Sequence, residues 1–267
     1  MHPYFDIPTP HLFGHRGASA EAPENTLPAF ERAQASGVPY LEMDCHATRD
    51  GEIVILHDAE VARTTEGTGR VEGLTYTELS RLDAGYRFTP DGGRSYPFRG
   101  SGVGVPRLTE ILERFPEARI NLEVKAEDPE VAEQVVRIIR RFGAEARMLL
   151  AAENHETLET VRKLDPGTAI GSSREDVLAF FGAIADGSVR EHKPRGQALQ
   201  IPQRFMGQDL ITPESIEAAR ALGLRVHVWT INDPDEMREL LTRGVDGLMS
   251  DSPAELMRVA RAHGGAG

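Results

Sequence analysis

Three carboxylates, two histidines and two cations stand in this chain at the ends of strand-like runs. In Tyr40-Leu41-Glu42-Met43-Asp44-Cys45 the strand period of two puts Glu42 and Asp44 on one face. Leu41, Met43 and Cys45 fall on the other. In Ile120-Asn121-Leu122-Glu123-Val124-Lys125 the same alternation groups Asn121, Glu123 and Lys125. A strand covered on both sides should be apolar on both. Carboxylates on such a strand are costly unless positive charge meets them. Structural arginines are one solution. If Glu42, Asp44 and Glu123 converge, like charges crowd together, and the cluster must take up protons or bind a cation. Three hard oxygen donors, with no cysteine or histidine at zinc-like spacing, point to Mg²⁺ or Ca²⁺.

His15 ends one strand-like run and His57 another. A lone histidine is most often a satisfied structural group. Two beside three carboxylates suit a general acid and a general base, His15 being read as base and His57 as acid. Direct ligation of a metal by the histidines is the alternative. Arg16 and Lys125 are cations aimed at the same place, and arginine offers the fork that phosphate oxygens fit. A salt bridge from Arg16 to Glu24 or to a cluster carboxylate is the bland reading. Asn25 is expected to cap the helix that Leu27, Ala29, Phe30 and Ala33 pattern. Trp229, the only tryptophan, is either a substrate wall or plain core, and Asp251 is either a helix cap or a site residue.

The elements that must position these groups alternate short β-like runs with amphipathic helices. Strand candidates are 11–14, 40–45, 120–124, 147–152, 168–172, 198–201, 225–231 and 247–250. The clearest helix is 129–142: Asp128 caps it, Pro129 suits its first turn, Val131, Val135, Ile138 and Phe142 form its stripe, and Gly143 ends it. Eight strands each followed by a helix predict an α/β fold, a parallel (β/α)8 TIM barrel; a doubly wound open sheet is the alternative. Asp50-Gly51 signals a hairpin after the second strand. Residues 59–105 break the rhythm and are expected as an ordered insertion into one domain spanning 1–267.

A chain of 267 residues can bury a large core without covalent staples. With 30 Lys and Arg against 42 Asp and Glu, its net charge of −12 argues against nucleic acid and anionic membrane surfaces. One cysteine precludes an intrachain disulfide framework and fits a reducing compartment. The first residues show no basic and apolar leader pattern, and no run approaches a spanning helix, so a cytoplasmic protein without integral membrane association is expected. There is no P-loop, dinucleotide fingerprint, HExxH or GxSxG.

In order along the chain come GHRG at 14–17, PENT at 23–26, LEMD at 41–44, LHD at 56–58, LEVK at 122–125, WTIN at 229–232 and DGLMSD at 246–251. Together they resemble the glycerophosphodiester phosphodiesterase family. The resemblance implies a barrel with a small insertion after the strand-two hairpin, and hydrolysis of glycerophosphodiesters to glycerol 3-phosphate and an alcohol. It implies that His15 and His57 act as acid and base, that Arg16 contacts phosphate, and that Glu42, Asp44 and Glu123 hold a divalent ion. Residues 146–205 carry little of the pattern. The rival readings are another divalent-metal barrel enzyme such as an aldolase, a lysophospholipase D-type diesterase, and a non-catalytic phosphate-ligand binding barrel. A lipid substrate would need an apolar rim, expected on the 59–105 insertion at Phe88, Tyr96 and Phe98. The partner expected is a small phosphodiester, not a nucleic acid.

Overall fold

The structure is a computed structural model, and it describes residues 2–264. Eleven strands are defined among those residues: β1 His11–Gly14, β2 Tyr40–Ala47, β3 Ile53–Ile55, β4 Arg119–Val124, β5 Met148–Ala151, β6 Ala169–Ile170, β7 Ala198–Pro202, β8 Arg204–Phe205, β9 Gln208–Asp209, β10 Arg225–Trp229 and β11 Gly247–Ser250. Eight of them pair side by side in the order β6-β5-β4-β2-β1-β11-β10-β7, every neighbour parallel. A single parallel bridge between Gly171 and Ala198 joins the two ends. The expected (β/α)8 barrel is therefore the fold, and the open doubly wound sheet is excluded.

The helices are α1 Leu27–Ser36, α2 Tyr76–Leu79, α3 Leu108–Arg114, α4 Pro129–Arg141, α5 His155–Lys163, α6 Arg174–Ala185, α7 Pro213–Ala221, α8 Pro234–Arg243 and α9 Pro253–Gly264. Among them, α4 shows how the sequence builds the outer ring. The Asp128 side chain accepts a hydrogen bond from the Glu130 N–H, and Pro129 sits where no backbone donor is needed. Its buried stripe runs through Val131, Ala132, Val135, Val136 and Ile139, with Ile138 and Phe142 at the edge of the core. The stripe is thus rotated slightly from the expected one. Gly143, at a φ of 58°, ends the helix in a left-handed turn. No helix among the described residues is long and apolar enough to cross a membrane.

Strand alternation sorts the barrel into two environments. Outward-facing Leu41, Met43, Cys45, Ile120, Leu122 and Val124 join the helices in the main core. Inside, Phe13, Tyr40, Leu149 and Met249 fill the floor together with Tyr4 and Phe5 from the turn that precedes β1. His11 and His227 lie in the same layer, their rings joined by a 3.1 Å hydrogen bond. Above the floor the interior turns polar: the Gln200 amide donates to Asn121 at 2.8 Å. The C-terminal mouth above that layer is where barrel enzymes carry their chemistry.

β2 and β3 form the expected antiparallel hairpin. After it, residues 59–105 carry short 3₁₀ turns at Val61–Arg63 and Val71–Gly73 and the single-turn α2. A separate small core of Val54, Leu56, Val61, Val71, Leu79, Ala84 and Val105 holds the segment against the barrel. The helix owed to strand two, α3, follows only after this excursion.

Candidate active site

The register of β2 and β4 aligns Glu42 with Asn121 and Asp44 with Glu123. Neighbouring strands lie about 4.8 Å apart, so aligned inward residues touch. Tyr40, Glu42 and Asp44 then climb one inner face from floor to mouth. Glu42, Asp44 and Glu123 each present an oxygen, and all three oxygens lie within 4.8 Å of one another. Ligand oxygens at about 2.3–2.6 Å from a Ca²⁺ ion can be up to about 5 Å apart, so the set fits a single divalent cation. Its electrostatics fit too. Burial, and then the charge of Asp44, push the Glu42 carboxyl up to about 7. Burial works the same way on Asp44, but Lys125 and Arg16 outweigh it and hold that carboxyl below its usual range.

Both cations reach the cluster. The Lys125 ammonium lies 2.8 Å from Glu123 and 3.3 Å from Asp44. The Arg16 guanidinium donates to Glu24 at 3.0 Å, and its Nε lies 3.4 Å from Asp44. A carboxylate has about four lone-pair sites, so these contacts leave room for a metal bond. The salt bridges weighed for Arg16 therefore exist, and they lie in the site rather than away from it.

The turn after β1 explains the run Gly14-His15-Arg16-Gly17. Arg16 has a φ of 53° and Gly17 one of 86°. A Cβ on Gly17 would come within 2.6 to 2.8 Å of the backbone and side chain of Ala29, so only glycine fits there. The left-handed Arg16 costs about 1–2 kcal/mol, and its backbone N–H gains a hydrogen bond to Glu42 Oε2 at 2.9 Å. Asn25 is not the helix cap that its sequence position suggests. Thr26 occupies the N-cap of α1, while Asn25 turns at a φ of 58° and donates its side-chain amide to Asp44 at 2.9 Å. A buried carboxylate needing a donor outweighs the cap.

Each histidine is oriented by a carboxylate. His15 Nδ1 lies 2.7 Å from Asp251 Oδ1, which also accepts from Ser19, while Asn232 donates to the other oxygen. Burial raises the Asp251 carboxyl, but the hydrogen bond and charge of His15, with the hydrogen bonds of Asn232 and Ser19, together outweigh it and bring it down to about 2. An ionised carboxylate only accepts, so Nδ1 carries the proton and Nε2 faces the cluster, 3.9 Å from Glu42. Burial disfavours the charged imidazole, yet the Asp251 hydrogen bond and the Glu42 charge raise its proton affinity overall. Of the two roles open for Asp251, the structure shows the site contact. His57 Nδ1 lies 2.6 Å from Asp58 Oδ1, itself bound by Arg63. Against burial, Arg63 and then His57 bring the Asp58 carboxyl down to about 2.

One cavity of about 630 Å³ gathers all of these groups: His15, Arg16, Glu42, Asp44, His57, Glu123, Lys125 and Trp229 line it. Residues 146–205, which carry little of the family pattern, supply Glu153, Ser172, Arg174, Leu178, Phe181 and Gln200 to its wall. The apolar rim is not where it was expected. Phe88 and Phe98 pack edge-to-face at 5.4 Å, and Tyr96 lies under Arg99. Tyr96 is exposed but does not line the cavity; the other exposed large apolar groups are Leu178 of α6, Phe205 and Met206 of the β8–β9 hairpin, and Trp229 at 42% exposure, and of these Leu178, Phe205 and Trp229 line it. Sequence reasoning missed Asp58, Arg63 and Asn232. The signal for the first two was an acid beside His57 and an arginine five residues further on, one turn of chain away from pairing.

A parallel barrel whose polar groups converge at the C-terminal mouth is an enzyme architecture. The model of the glycerophosphoryl diester phosphodiesterase family matches residues 15–255, and the chain belongs to that family of phosphoric diester hydrolases. It is 30% identical over 260 residues to a glycerophosphodiester phosphodiesterase of Caldanaerobacter subterraneus subsp. tengcongensis, across 95% of this chain and 98% of that protein. It is 27% identical to a lysophospholipase D of Homo sapiens, across 91% of this chain and 83% of that one. A phosphodiesterase from Oleispira antarctica, solved in complex with the product sn-glycerol-3-phosphate, matches with a TM-score of 0.76 at 26% identity, over 94% of this chain and 97% of that chain.

Proposed function

We propose that this chain hydrolyses small glycerophosphodiesters to glycerol 3-phosphate and an alcohol, with a divalent cation held by Glu42, Asp44 and Glu123. The observation that carries the reading is the meeting of those three oxygens, within 4.8 Å, with two carboxylate-oriented histidines in one cavity. When bound, Mg²⁺ or Ca²⁺ supplies Lewis-acid stabilisation of a non-bridging phosphate oxygen. Arg16 and Lys125 neutralise the charge that grows on the phosphoryl group. His15 Nε2 takes the proton of the attacking oxygen, a water or the neighbouring glycerol hydroxyl. The P–O bond to the alcohol breaks, and His57 protonates the departing alkoxide; where the glycerol hydroxyl attacks, the product of this step is a cyclic phosphate, and a water then adds to phosphorus and breaks the P–O bond just formed to give glycerol 3-phosphate. Trp229 walls the alcohol side. The whole barrel, with 59–105 as its insertion, works as one catalytic domain, and the buried free thiol of Cys45 fits a cytoplasmic location.

The test is a product assay on glycerophosphocholine with and without EDTA. Glycerol 3-phosphate and choline, released only without EDTA, support the reading. Choline phosphate as product puts the cut on the other side of phosphorus and overturns it. A second reading, a lysophospholipase D acting on lipid-sized diesters, is favoured by Leu178, Phe205, Met206 and Trp229 standing exposed around the mouth. It predicts a higher kcat/KM on lysophosphatidylcholine than on glycerophosphocholine.

A further inference from the structure

Arg63 lies in the 59–105 segment and is not among the side chains lining the cavity, yet every polar atom of its guanidinium is engaged toward the site. Nη1 and Nη2 donate to the two oxygens of Glu24, both at 2.7 Å. Nε donates to Asp58 Oδ2 at 2.5 Å, and Nη2 also reaches Asp58 Oδ1 at 3.2 Å. Behind each carboxylate stands a group that faces the substrate. Glu24 accepts from Arg16 at 3.0 Å, and Asp58 holds His57 at 2.6 Å. The side chains thus form one chain of charge-assisted bonds: Arg16, Glu24, Arg63, Asp58, His57.

We infer that Arg63 is a positioning residue that sets the phosphate-binding cation and the proton donor relative to each other. The inference rests on the roles proposed above for Arg16 and His57. An isolated exposed ion pair would contribute little. A planar fork that holds two carboxylates at once fixes their orientation, and an ammonium cannot reproduce it. Without the fork, Asp58 is free to rotate and His57 loses its alignment with the departing oxygen. Glu24 relaxes likewise, and Arg16 with it. A misplacement of about 1 Å costs on the order of 10²-fold in rate.

The test compares two substrates: glycerophosphocholine, whose alkoxide leaves only with a proton, and sn-glycero-3-phospho-p-nitrophenol, whose phenolate leaves without one. In Arg63→Ala we expect kcat on the choline ester to fall about 10²-fold and kcat on the nitrophenyl ester, which registers only the looser Arg16, to fall at least about tenfold less, with KM raised on both. Arg63→Lys, which keeps the charge without the fork, should show the same split between the two esters, and it serves if the alanine variant fails to fold. His57→Ala is the control. If it shows the leaving-group split and the Arg63 variants lower both esters equally, or neither, Arg63 is merely structural and the inference is overturned. If His57→Ala itself shows no split, the proposed role of His57 fails instead, and a wild-type enzyme inert on both esters removes the proposed activity.

Discussion

Glu42 ties the acidity of the solution to the emptiness of the cluster. Its side chain is almost wholly buried, and its carboxyl is pushed up to about 7 by burial first and by Asp44 second. In the unfolded chain it titrates near 4.5. Between those values the folded protein holds a proton that the unfolded chain has released. Stability from this group is therefore complete below about pH 4.5 and declines as pH rises to about 7, by about 3 kcal/mol in all. Other groups titrate nearby. His15, with its affinity raised, adds a loss of the same sign above pH 6.5. His11, lowered to about 4 by burial, acts in the opposite sense as pH falls. The clean quantity is the difference between wild type and Glu42→Gln, since glutamine mimics the protonated carboxyl. Urea unfolding of chelated protein at pH 5 and pH 7.5 should show wild type losing about 2 kcal/mol relative to Glu42→Gln across that interval. Millimolar Ca²⁺ or Mg²⁺ should recover the loss at pH 7.5 in wild type alone, releasing close to one proton per ion bound near pH 6. Parallel pH dependences in the two proteins would refute the reasoning, since Glu42 would then not be held protonated by its crowded neighbours.

Replacing the other proposed ligands, as Asp44→Asn or Glu123→Gln, should weaken divalent-ion binding at least tenfold by calorimetry and lower turnover, while Lys125→Met should spare ion binding and raise KM. His15→Ala and His57→Ala should each reduce kcat by about 10²-fold or more with the melting temperature nearly unchanged; Asp251→Asn, which removes the acceptor at Nδ1, should fall part of the way. Gly17→Ala should destabilise by about 2–3 kcal/mol in thermal or urea unfolding, because the new methyl meets the Ala29 backbone at 2.6 Å in a left-handed turn.

What could be seen in the sequence follows from how each feature is encoded. Strand alternation is local, so Glu42, Asp44 and Glu123 announced a shared face, and the parallel register of β2 and β4 then brought Asp44 against Glu123. Helix α4 announced itself by its own cap and stripe. The partner of His15 was not legible as such, because Asp251 reaches it across 236 positions of chain, whereas Asp58 stands next to His57 in sequence. Asn25 misled for a related reason: asparagine before a helix satisfies a local cap in most settings, and only the fold reveals the buried Asp44 that competes for it. The rim misled because exposure is a property of the tertiary surface. Phe88 and Phe98 find each other, while Phe205 and Met206 stand exposed on a two-stranded hairpin.

The division of labour inside the barrel follows from one strand. β2 sends Tyr40, Glu42 and Asp44 up the same inner face, and the surroundings change with height. Tyr40 stacks on Phe13 in a sealed aromatic floor. One step higher, Glu42 is buried and receives a backbone N–H from the strained turn at Arg16. Two steps higher, Asp44 meets Arg16, Lys125 and Asn25 at the mouth. The same two-residue period that makes the wall therefore grades the interior from apolar to charged. Glu42 stands at the boundary, almost wholly buried and too close to Asp44 to ionise without help. A hard cation is the help that three converging oxygens offer. The floor supplies rigidity, the turn at Arg16 and Gly17 supplies a donor and a cation, and the 59–105 segment reaches back through Arg63 to the carboxylates that hold Arg16 and His57. The polar mouth is thus built on an aromatic base that needs no ligand to form, so ion-binding variants should reach the same fold as wild type, with a stability shifted by the charge they remove and with turnover lost.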